Sequence, residues 1–348
     1  MADPEIRTGS DAETAAGTGG EATPPQAPTE GRPLGGTPSE IEAVQPELAE
    51  MAVTSFEAAG LTLAALPLWR LVLRRFLRHR IAMASLIVLV LIGLACALAP
   101  LISPKEFTEQ DTSHIFSRPG EAGFLLGSDS LGRDQLTRLL YGGRISLLVG
   151  VSVALASGAV GTFIGAVTGY FGGRIDAVLM RVTDLFLAIP FLVFLILMAK
   201  LLGGSVFDIV LILSLIAWMP LARIVRGLFL SLKEKEFVEA ARSIGASNRR
   251  IILRHMLPNA MGPIIVNLTL AVAAAILAES ALSFLGYGVQ PPTPTWGNML
   301  AESQDFTRIA AWLVWFPGLA ILVTVLCVNY LGDGLRDALD PTQRRTRR

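Results

Sequence analysis

Long apolar runs, separated by shorter polar segments, dominate this chain of 348 residues. A helix needs about 20 apolar residues to cross a hydrocarbon layer about 30 Å thick. Runs that predict six such helices lie near residues 81–102, 145–170, 177–202, 205–224, 261–283 and 310–332. The runs lack the alternation of barrel strands, and lipid offers no hydrogen-bond partners to backbone groups. The sequence therefore predicts an all-α membrane protein.

Composition and charge fit this prediction and add an orientation. The chain is 52% hydrophobic and 17% charged, which does not suit a soluble domain of this length. Arginines crowd the segments before the first run and after the last, and residues 223–259 carry eight Lys or Arg against three Glu. Because cytoplasmic loops are enriched in basic residues, we expect both termini and residues 225–260 on the cytoplasmic side. Residues 103–143 and 284–309 then face outward.

The flanks of the predicted transmembrane domain, residues 81–341, differ in character. Residues 1–54 form an acidic extension, with ten acidic and two basic residues among the first fifty, and are predicted to be disordered. This tail is either a regulatory or partner-binding segment or a solvated, dispensable one. Residues 55–80 mix leucines with arginines and predict an amphipathic, basic lead-in at the membrane surface. A basic tail occupies residues 342–348.

A polar segment at 234–258 interrupts the apolar runs and predicts a helix-turn-helix. Apolar residues recur at helical spacing in its first half, at Phe237, Ala240, Ala241 and Ile244. Gly245 is expected at the turn, because glycine tolerates the left-handed backbone that ends a helix. Ser247 is expected to cap the second helix and Pro258 to mark its end. The pattern predicts two short helices joined at an angle, a shape suited to gripping another protein.

Six residues of this segment form a recognisable pattern: Glu239, Ala240, Ala241, Gly245, Leu257 and Pro258. The pattern resembles the EAA loop of the ABC-importer permeases, the element by which the membrane subunit docks into a cleft on its ATPase. His255 is a departure, because that family usually carries an aliphatic residue two positions before the leucine.

Three further stretches, at 126–147, 279–298 and 329–341, resemble the dipeptide/oligopeptide subfamily of these permeases. The first includes a loop motif that precedes the second span, formed by Gly127, Asp129, Gly132, Arg133 and Asp134. Together with the EAA-like loop, the resemblance covers residues 65–341 in the expected order.

The resemblance implies a fold and a set of partners. It implies six transmembrane helices of the type I ABC importer permease kind, in a multi-pass subunit of the bacterial plasma (inner) membrane. The subunit would form half of the pathway of an ATP-driven, binding-protein-dependent importer, for di- or oligopeptides. Its partners would be a homologous second permease, two ABC ATPase subunits, an extracytoplasmic substrate-binding protein and membrane lipid, with no nucleic acid.

Two alternatives stay open. An ABC importer permease for nickel or another small solute would share the subfamily pattern. A different class, an ion-coupled secondary transporter, would show an internal inverted repeat with charged sites near the midplane, which is not apparent in the sequence.

The sequence offers little for catalysis. Cys96 and Cys327 lie inside predicted spans and are expected to be packing residues. The three histidines are scattered, so no catalytic residue, metal site or cofactor is expected. No lysine is followed by Ser or Thr, which excludes a Walker A loop. The chain is therefore expected to be a transport subunit without its own ATPase site, which borrows energy from separate ATPases.

Polar residues inside the spans are candidates for function because burying charge in hydrocarbon is costly. Asn267, Glu279 and Ser280 are candidate gate or pathway residues, and Glu279 is expected either to close a gate or to reach headgroup water. Arg181 and Asp184 lie three residues apart and are expected to pair on one face of their helix.

Glycines and prolines also mark the spans. Gly150, Gly158, Gly161 and Gly165 give the second span a small-residue face for close packing. Prolines expected to kink their helices are Pro190, Pro220, Pro263 and Pro317.

Overall fold

The computed structural model describes residues 68–103 and 105–339 of the chain. The predicted acidic extension at 1–54, the first part of the basic lead-in and the basic tail at 342–348 lie outside these residues. Over the described residues the chain is helical and has no named strand, with an isolated bridge between Ser128 and Asp134.

The helices are numbered here in chain order. They are α1 (Leu68–Arg78), α2 (Arg80–Ala97), α3 (Ala99–Ile102), α4 (Gln135–Phe171), α5 (Gly173–Leu187), α6 (Phe191–Leu202), α7 (Val206–Lys233), α8 (Glu236–Ser243), α9 (Asn248–Arg250), α10 (Leu257–Phe284), α11 (Trp296–Glu302) and α12 (Trp312–Leu339). A π-helix, Ile251–Met256, joins α9 to α10, and a 3₁₀ turn follows α11 at Gln304–Phe306.

Five continuous helical segments of the described chain are long and apolar enough to cross a membrane: α2, α4, α7, the run from α9 through α10, and α12. The predicted third span instead consists of α5 and α6, bent by 88° at the break between them, so six spans result if this pair is one span. Pro190 lies at the break as the N-cap of α6. It has no N–H to donate, so an uninterrupted hydrogen-bond ladder could not pass through it.

Close contact between α4 and α7 builds the centre of the bundle. A Cβ added at Gly161 would lie 2.6 Å from the carbonyl oxygen of Trp218, and one added at Gly165 would lie 2.5 Å from that of Ala222. Backbone atoms of the two helices therefore touch where only hydrogen fits between them. This confirms the predicted small-residue face, which extends one turn further to Gly169.

A second contact joins α2 to α12 near one end of the bundle. A Cβ at Gly334 would lie 2.3 Å from the Cβ of Ala82, so glycine is required for this approach. Phe76 of α1 is buried beside Ala82 and Ala338, which anchors α1 to the same end. Large apolar side chains such as Leu155 stay exposed on the outside of the bundle, as expected for a surface that faces lipid.

Candidate functional site

The polar loop, residues 234–258, lies at one end of the bundle and presents two different faces. Val238 and Ala241 of α8 are buried and pack with residues of α4, α7 and α10. Phe237 and Ile244 point away, and Ile244 is 84% exposed. The helix predicted from this spacing is confirmed, but Ala241 is buried whereas Phe237, Ala240 and Ile244 are exposed. One apolar face, with Val238 and Ala241, holds α8 on the bundle. A second, with Phe237 and Ile244, stays uncovered.

The turn of the polar loop has the predicted geometry. Gly245 has a φ of +79°, in the left-handed region that favours glycine. The N–H of Ala246 donates to the carbonyl of Ala241 at 3.0 Å, which closes the end of α8. Ser247 caps the next helix, because its Oγ accepts a hydrogen bond from the N–H of Arg250.

The predicted stop at Pro258 is wrong, because the second arm of the loop continues directly into a membrane helix. In the intervening π-helix the N–H of Leu257 donates to the carbonyl of Ile252, five residues earlier. Pro258 then falls in the first turn of α10, where a missing backbone donor is tolerated. The second arm of the polar loop is therefore continuous with α10.

Glu239 and Ala240 are exposed on α8, and Leu257 is half-buried. Tyr170, near the end of α4, ties the same loop to a second membrane helix. Its hydroxyl donates to Asn248 Oδ1 at 2.8 Å, and the guanidinium carbon of Arg242 lies 5.7 Å from its ring centroid. Sequence reasoning missed Tyr170, since no local spacing connects positions 78 residues apart.

The polar cap, residues 105–138 and 285–311, lies at the opposite end of the bundle and includes the first turn of α4. Asp129 Oδ2 accepts hydrogen bonds of 2.6 Å from both Arg133 Nε and Arg138 Nη1. Glu302 Oε2 accepts hydrogen bonds of 2.7 Å from the same two arginines. Asp129, Arg133 and Arg138 are buried, whereas Glu302 is partly exposed. The sequence motif supplied Asp129 and Arg133, whereas Arg138 and Glu302 were not among the predicted site residues.

Other residues of the predicted loop motif shape the backbone of the cap. Gly132 has a φ of +73°, and a Cβ there would lie 1.9 Å from the carbonyl oxygen of Asp111. Gly127 also has a positive φ, of +85°. Asp134 caps α4 by accepting a 2.8 Å hydrogen bond from the N–H of Thr137. In this structure the motif therefore folds the cap and starts α4.

Asp111 is an exposed acidic group of the cap. The hydroxyl of Ser113 donates to its carboxylate, and His114 Nδ1 lies 2.7 Å from Oδ2. These hydrogen bonds lower the pKa of Asp111 to about 2. The carboxylate therefore stays charged at neutral pH.

Glu279 lies on α10 and is fully buried at the point where α10 contacts α4 and the cap. Its Oε1 accepts a 2.7 Å hydrogen bond from Ser283 Oγ, and its Oε2 lies 3.4 Å from Ser146 Oγ. Ser146 Oγ in turn accepts from the N–H of Trp296 at 3.2 Å. The expectation that Glu279 reaches headgroup water is therefore wrong. Ser280 is also buried, at 8% exposure.

A cavity of about 410 Å³ lies among α4, α7, α10 and the bend between α5 and α6. Its lining is apolar apart from Ser157 and Asn267. Asn267 Nδ2 donates to the carbonyl of Pro263 at 2.8 Å, inside the same helix. Of the three candidate pathway residues, Asn267 lines this cavity, while Glu279 and Ser280 do not.

The expected pair of Arg181 with Asp184 does not form. Asp184 instead accepts a hydrogen bond from Arg223 of α7, and Asp176 accepts one of 2.6 Å from Nη2 of Arg226. The acidic residues of α5 thus bond across to α7 because that helix places arginines beside them. These two ion pairs fix α5 against α7 below the 88° bend.

Comparisons with known proteins agree with this architecture. Residues 161–345 match a family model described as the binding-protein-dependent transport system inner membrane component. Residues 67–119 match the N-terminal transmembrane domain of oligopeptide transport permease C.

Curated relatives cover most of the chain. It is 44% identical to the oligopeptide transport system permease protein OppC of Haemophilus influenzae, over 80% of this chain and 89% of that protein. It is 45% identical to OppC of Escherichia coli K12, over 80% and 92%. The dipeptide transport system permease protein DppC of Bacillus subtilis is 42% identical over 78% and 85%.

A solved structure supports the fold. A chain of the inward-facing MetNI methionine ABC transporter superposes with a TM-score of 0.50 at 17% identity, covering 58% of this chain and 96% of that one. The helices and these matches define the membrane permease subunit of an ABC transporter, with the predicted all-α fold of the type I importer kind. The chain belongs to the binding-protein-dependent transport system inner membrane component family, which confirms the predicted membership.

Proposed function

We propose that this chain is the permease subunit of an ATP-driven, binding-protein-dependent importer of di- or oligopeptides, and that it forms half of the translocation pathway. The observation that carries the cargo is the identity of 42–45% to relatives named for oligopeptide or dipeptide transport. The cavity is compatible with such cargo. Its volume of about 410 Å³ lies within the usual range for small-molecule sites, and its weakly polar lining would accept varied side chains.

The polar loop is the proposed docking site for an ATPase subunit. Phe237, Ala240 and Ile244 present apolar surface at a helix end that is otherwise basic and polar. Exposed apolar patches with polar rims mark interaction sites. Glu239, next to Ala240, is exposed on the same helix and available to a partner. We assign Ala241, Gly245, Leu257 and Pro258 to the support of this surface rather than to the contact.

Force from the ATPase would enter the bundle by two routes. One is the direct connection of the loop to α10 through the π-helix. The other is the hydrogen bond between Asn248 and Tyr170 at the end of α4. Both helices line the cavity, so a shift of the loop would change the width of the cavity at that end. A full swing of such a two-state equilibrium needs about 5.5 kcal/mol, so the loop contacts would share it.

The chain itself supplies no nucleotide site under this proposal. It has no Walker A lysine, so two separate ATPase subunits would hydrolyse ATP. A homologous second permease would complete the pathway, and the polar cap would receive an extracytoplasmic substrate-binding protein. The loop motif of Gly127, Asp129, Gly132, Arg133 and Asp134 is buried and would hold in place the surface of the cap that this protein meets.

The proposed orientation places both termini and the polar loop in the cytoplasm and the polar cap outside. A single cysteine at Ser247 should resist a membrane-impermeant maleimide in intact cells, and one at Thr307 of the cap should react. Both native cysteines are buried, so their background labelling should be low. Rapid labelling at position 247, with none at 307, would show that the chain has the opposite orientation in the membrane.

Reconstitution in liposomes tests the function as a whole. The chain alone, given a proton or sodium gradient, should take up no peptide. The complex with its second permease, ATPases and binding protein should take up labelled peptide when ATP is supplied on the ATPase side. Gradient-driven uptake by the lone chain would identify a secondary transporter. ATP-driven uptake of Ni²⁺ in place of peptide would identify the other cargo.

A further inference from the structure

An open groove of about 540 Å³ lies between α2 and α12, away from the cavity among α4, α7 and α10. Small side chains at Ser85 and Cys327, both largely buried, form part of its lining. Larger apolar residues such as Val88 and Leu326 flank them. The groove exists because two helices that touch closely at Ala82 and Gly334 carry small residues further along their shared face.

One end of this groove is charged. Arg80, the first residue of α2, lines it and is exposed, and within the described part of the chain its guanidinium forms no ion pair. Tyr330, which is 46% exposed, lines it as well and carries a hydroxyl group.

The chemistry of the groove selects its ligand. An apolar groove along a membrane helix suits a hydrocarbon chain, which brings no polar groups that need partners. Guanidinium binds phosphate through paired, charge-assisted hydrogen bonds. Basic pockets between transmembrane helices bind anionic lipid head groups in this way.

We propose that the groove between α2 and α12 binds one anionic phospholipid, with an acyl chain along Ala84 and Ser85 and the phosphate on Arg80. The site is independent of the cargo and of ATP. It would brace the contact of α2 with α12 and the anchored helix α1.

Native mass spectrometry of the purified complex, delipidated and then titrated with phosphatidylglycerol, tests this site. Arg80→Gln should weaken retention of one phosphatidylglycerol about tenfold, the loss expected for one charge-assisted contact. Ala84→Leu should also weaken it, because Ala84 is exposed and a larger side chain there fills the groove without entering the core. Arg80→Lys should recover part of the binding.

Arg74→Gln is the matched control, since it removes the same charge from the preceding helix and does not line the groove. It should retain the lipid as the unmodified complex does. The unmodified complex should bind phosphatidylcholine more weakly than phosphatidylglycerol. The Arg80→Gln complex should bind the two lipids equally.

Three results would overturn the proposal. The first is equal retention of phosphatidylglycerol by Arg80→Gln and the unmodified complex, and the second is an equal loss in Arg74→Gln. The third is a photo-crosslinker at position 84 that joins the second permease instead of lipid, which would make the groove a subunit contact. None of these readouts needs transport, so failure of the lipid site is distinct from failure of the proposed function.

Discussion

The two polar ends of the bundle differ in what they bury and what they leave exposed. In the polar cap, four charged side chains bond to one another and Arg138 is 2% exposed. In the polar loop, apolar side chains remain uncovered and Ile244 is 84% exposed. The charges of the cap are thus paired with one another, although the buried Nε of Arg138 has no hydrogen-bond partner. The loop instead leaves surface whose burial would release free energy at about 25 cal/mol per Å².

This difference separates what the chain needs to fold from what it offers to partners. Breaking the cap should lower the stability of the permease itself. Altering the outer face of the loop should leave the permease intact and weaken its attachment to the ATPase. Substitutions at the two ends can test that separation directly.

The largest effect is expected for Arg138→Met in the cap. The change leaves Asp129 and Glu302 with one arginine in place of two, inside a largely buried cluster. Breaking such a cluster typically costs about 3–5 kcal/mol. The melting temperature of the purified permease should fall markedly, measured by intrinsic fluorescence in detergent. Arg308→Met, at an exposed position of the same cap, is the control and should melt as the unmodified protein does. Equal melting temperatures for both variants would show that the charge cluster does not stabilise the permease.

The next effect is expected for Ile244→Ser on the exposed face of the loop. Loss of a central apolar contact typically weakens a protein interface by about 2 kcal/mol, or roughly thirtyfold. Co-purification of the ATPase with the permease should decrease accordingly, while the melting temperature of the permease alone stays unchanged.

Val238→Ser is the matched contrast, because Val238 lies on the other face of the same helix and is fully buried. It should lower the melting temperature of the permease itself. If Ile244→Ser destabilised the permease and left ATPase attachment unchanged, Ile244 would be a packing residue and not an ATPase contact.

Local features were predictable from the sequence. The positive φ of Gly245 and the cap by Ser247 follow from the chemistry of single residues and their neighbours. The small-residue face at Gly161 and Gly165 follows from a spacing of four. The apolar runs gave the spans because each run had to cover the same thickness of hydrocarbon.

Features that depend on distant partners were not predictable. Asp184 pairs with Arg223 rather than with Arg181, since the packing of α5 on α7 decides which arginine is near. The bonds of Glu302 to Arg133 and Arg138 join positions more than 160 residues apart. The loop continues into α10 through a π-helix that ends just before Pro258, so that the proline falls in the first turn of α10. Sequence periodicity does not indicate a π-helix.

A smaller effect is expected for Gly245→Val at the turn of the loop. A Cβ there meets no atom within 4 Å, so the cost comes from the backbone φ of +79° and not from a clash. A β-branched residue in this region is strained by about 1–3 kcal/mol. The turn should relax into another conformation and displace Ile244, which lowers the peptide transported per ATP hydrolysed.

Gly227→Val in α7 is the control for this turn, because that glycine lacks a positive φ and also has open space around it. It should transport as the unmodified complex does. Full transport by Gly245→Val would show that the loop tolerates a different turn.

The smallest effect is expected for Tyr170→Phe, which removes only the hydroxyl that donates to Asn248. One such hydrogen bond contributes about 0.5–1.5 kcal/mol net, so the balance between coupled and uncoupled positions of the loop should shift a fewfold. Because α10 keeps its direct connection to the loop, ATP hydrolysis should continue while peptide uptake per ATP decreases modestly. Tyr170→Leu, which also removes the ring beneath Arg242, should decrease it further. Tyr141→Phe near the cap should change neither quantity. An unchanged ratio of uptake to hydrolysis in Tyr170→Leu would mean that α10 alone carries movement from the loop into the membrane.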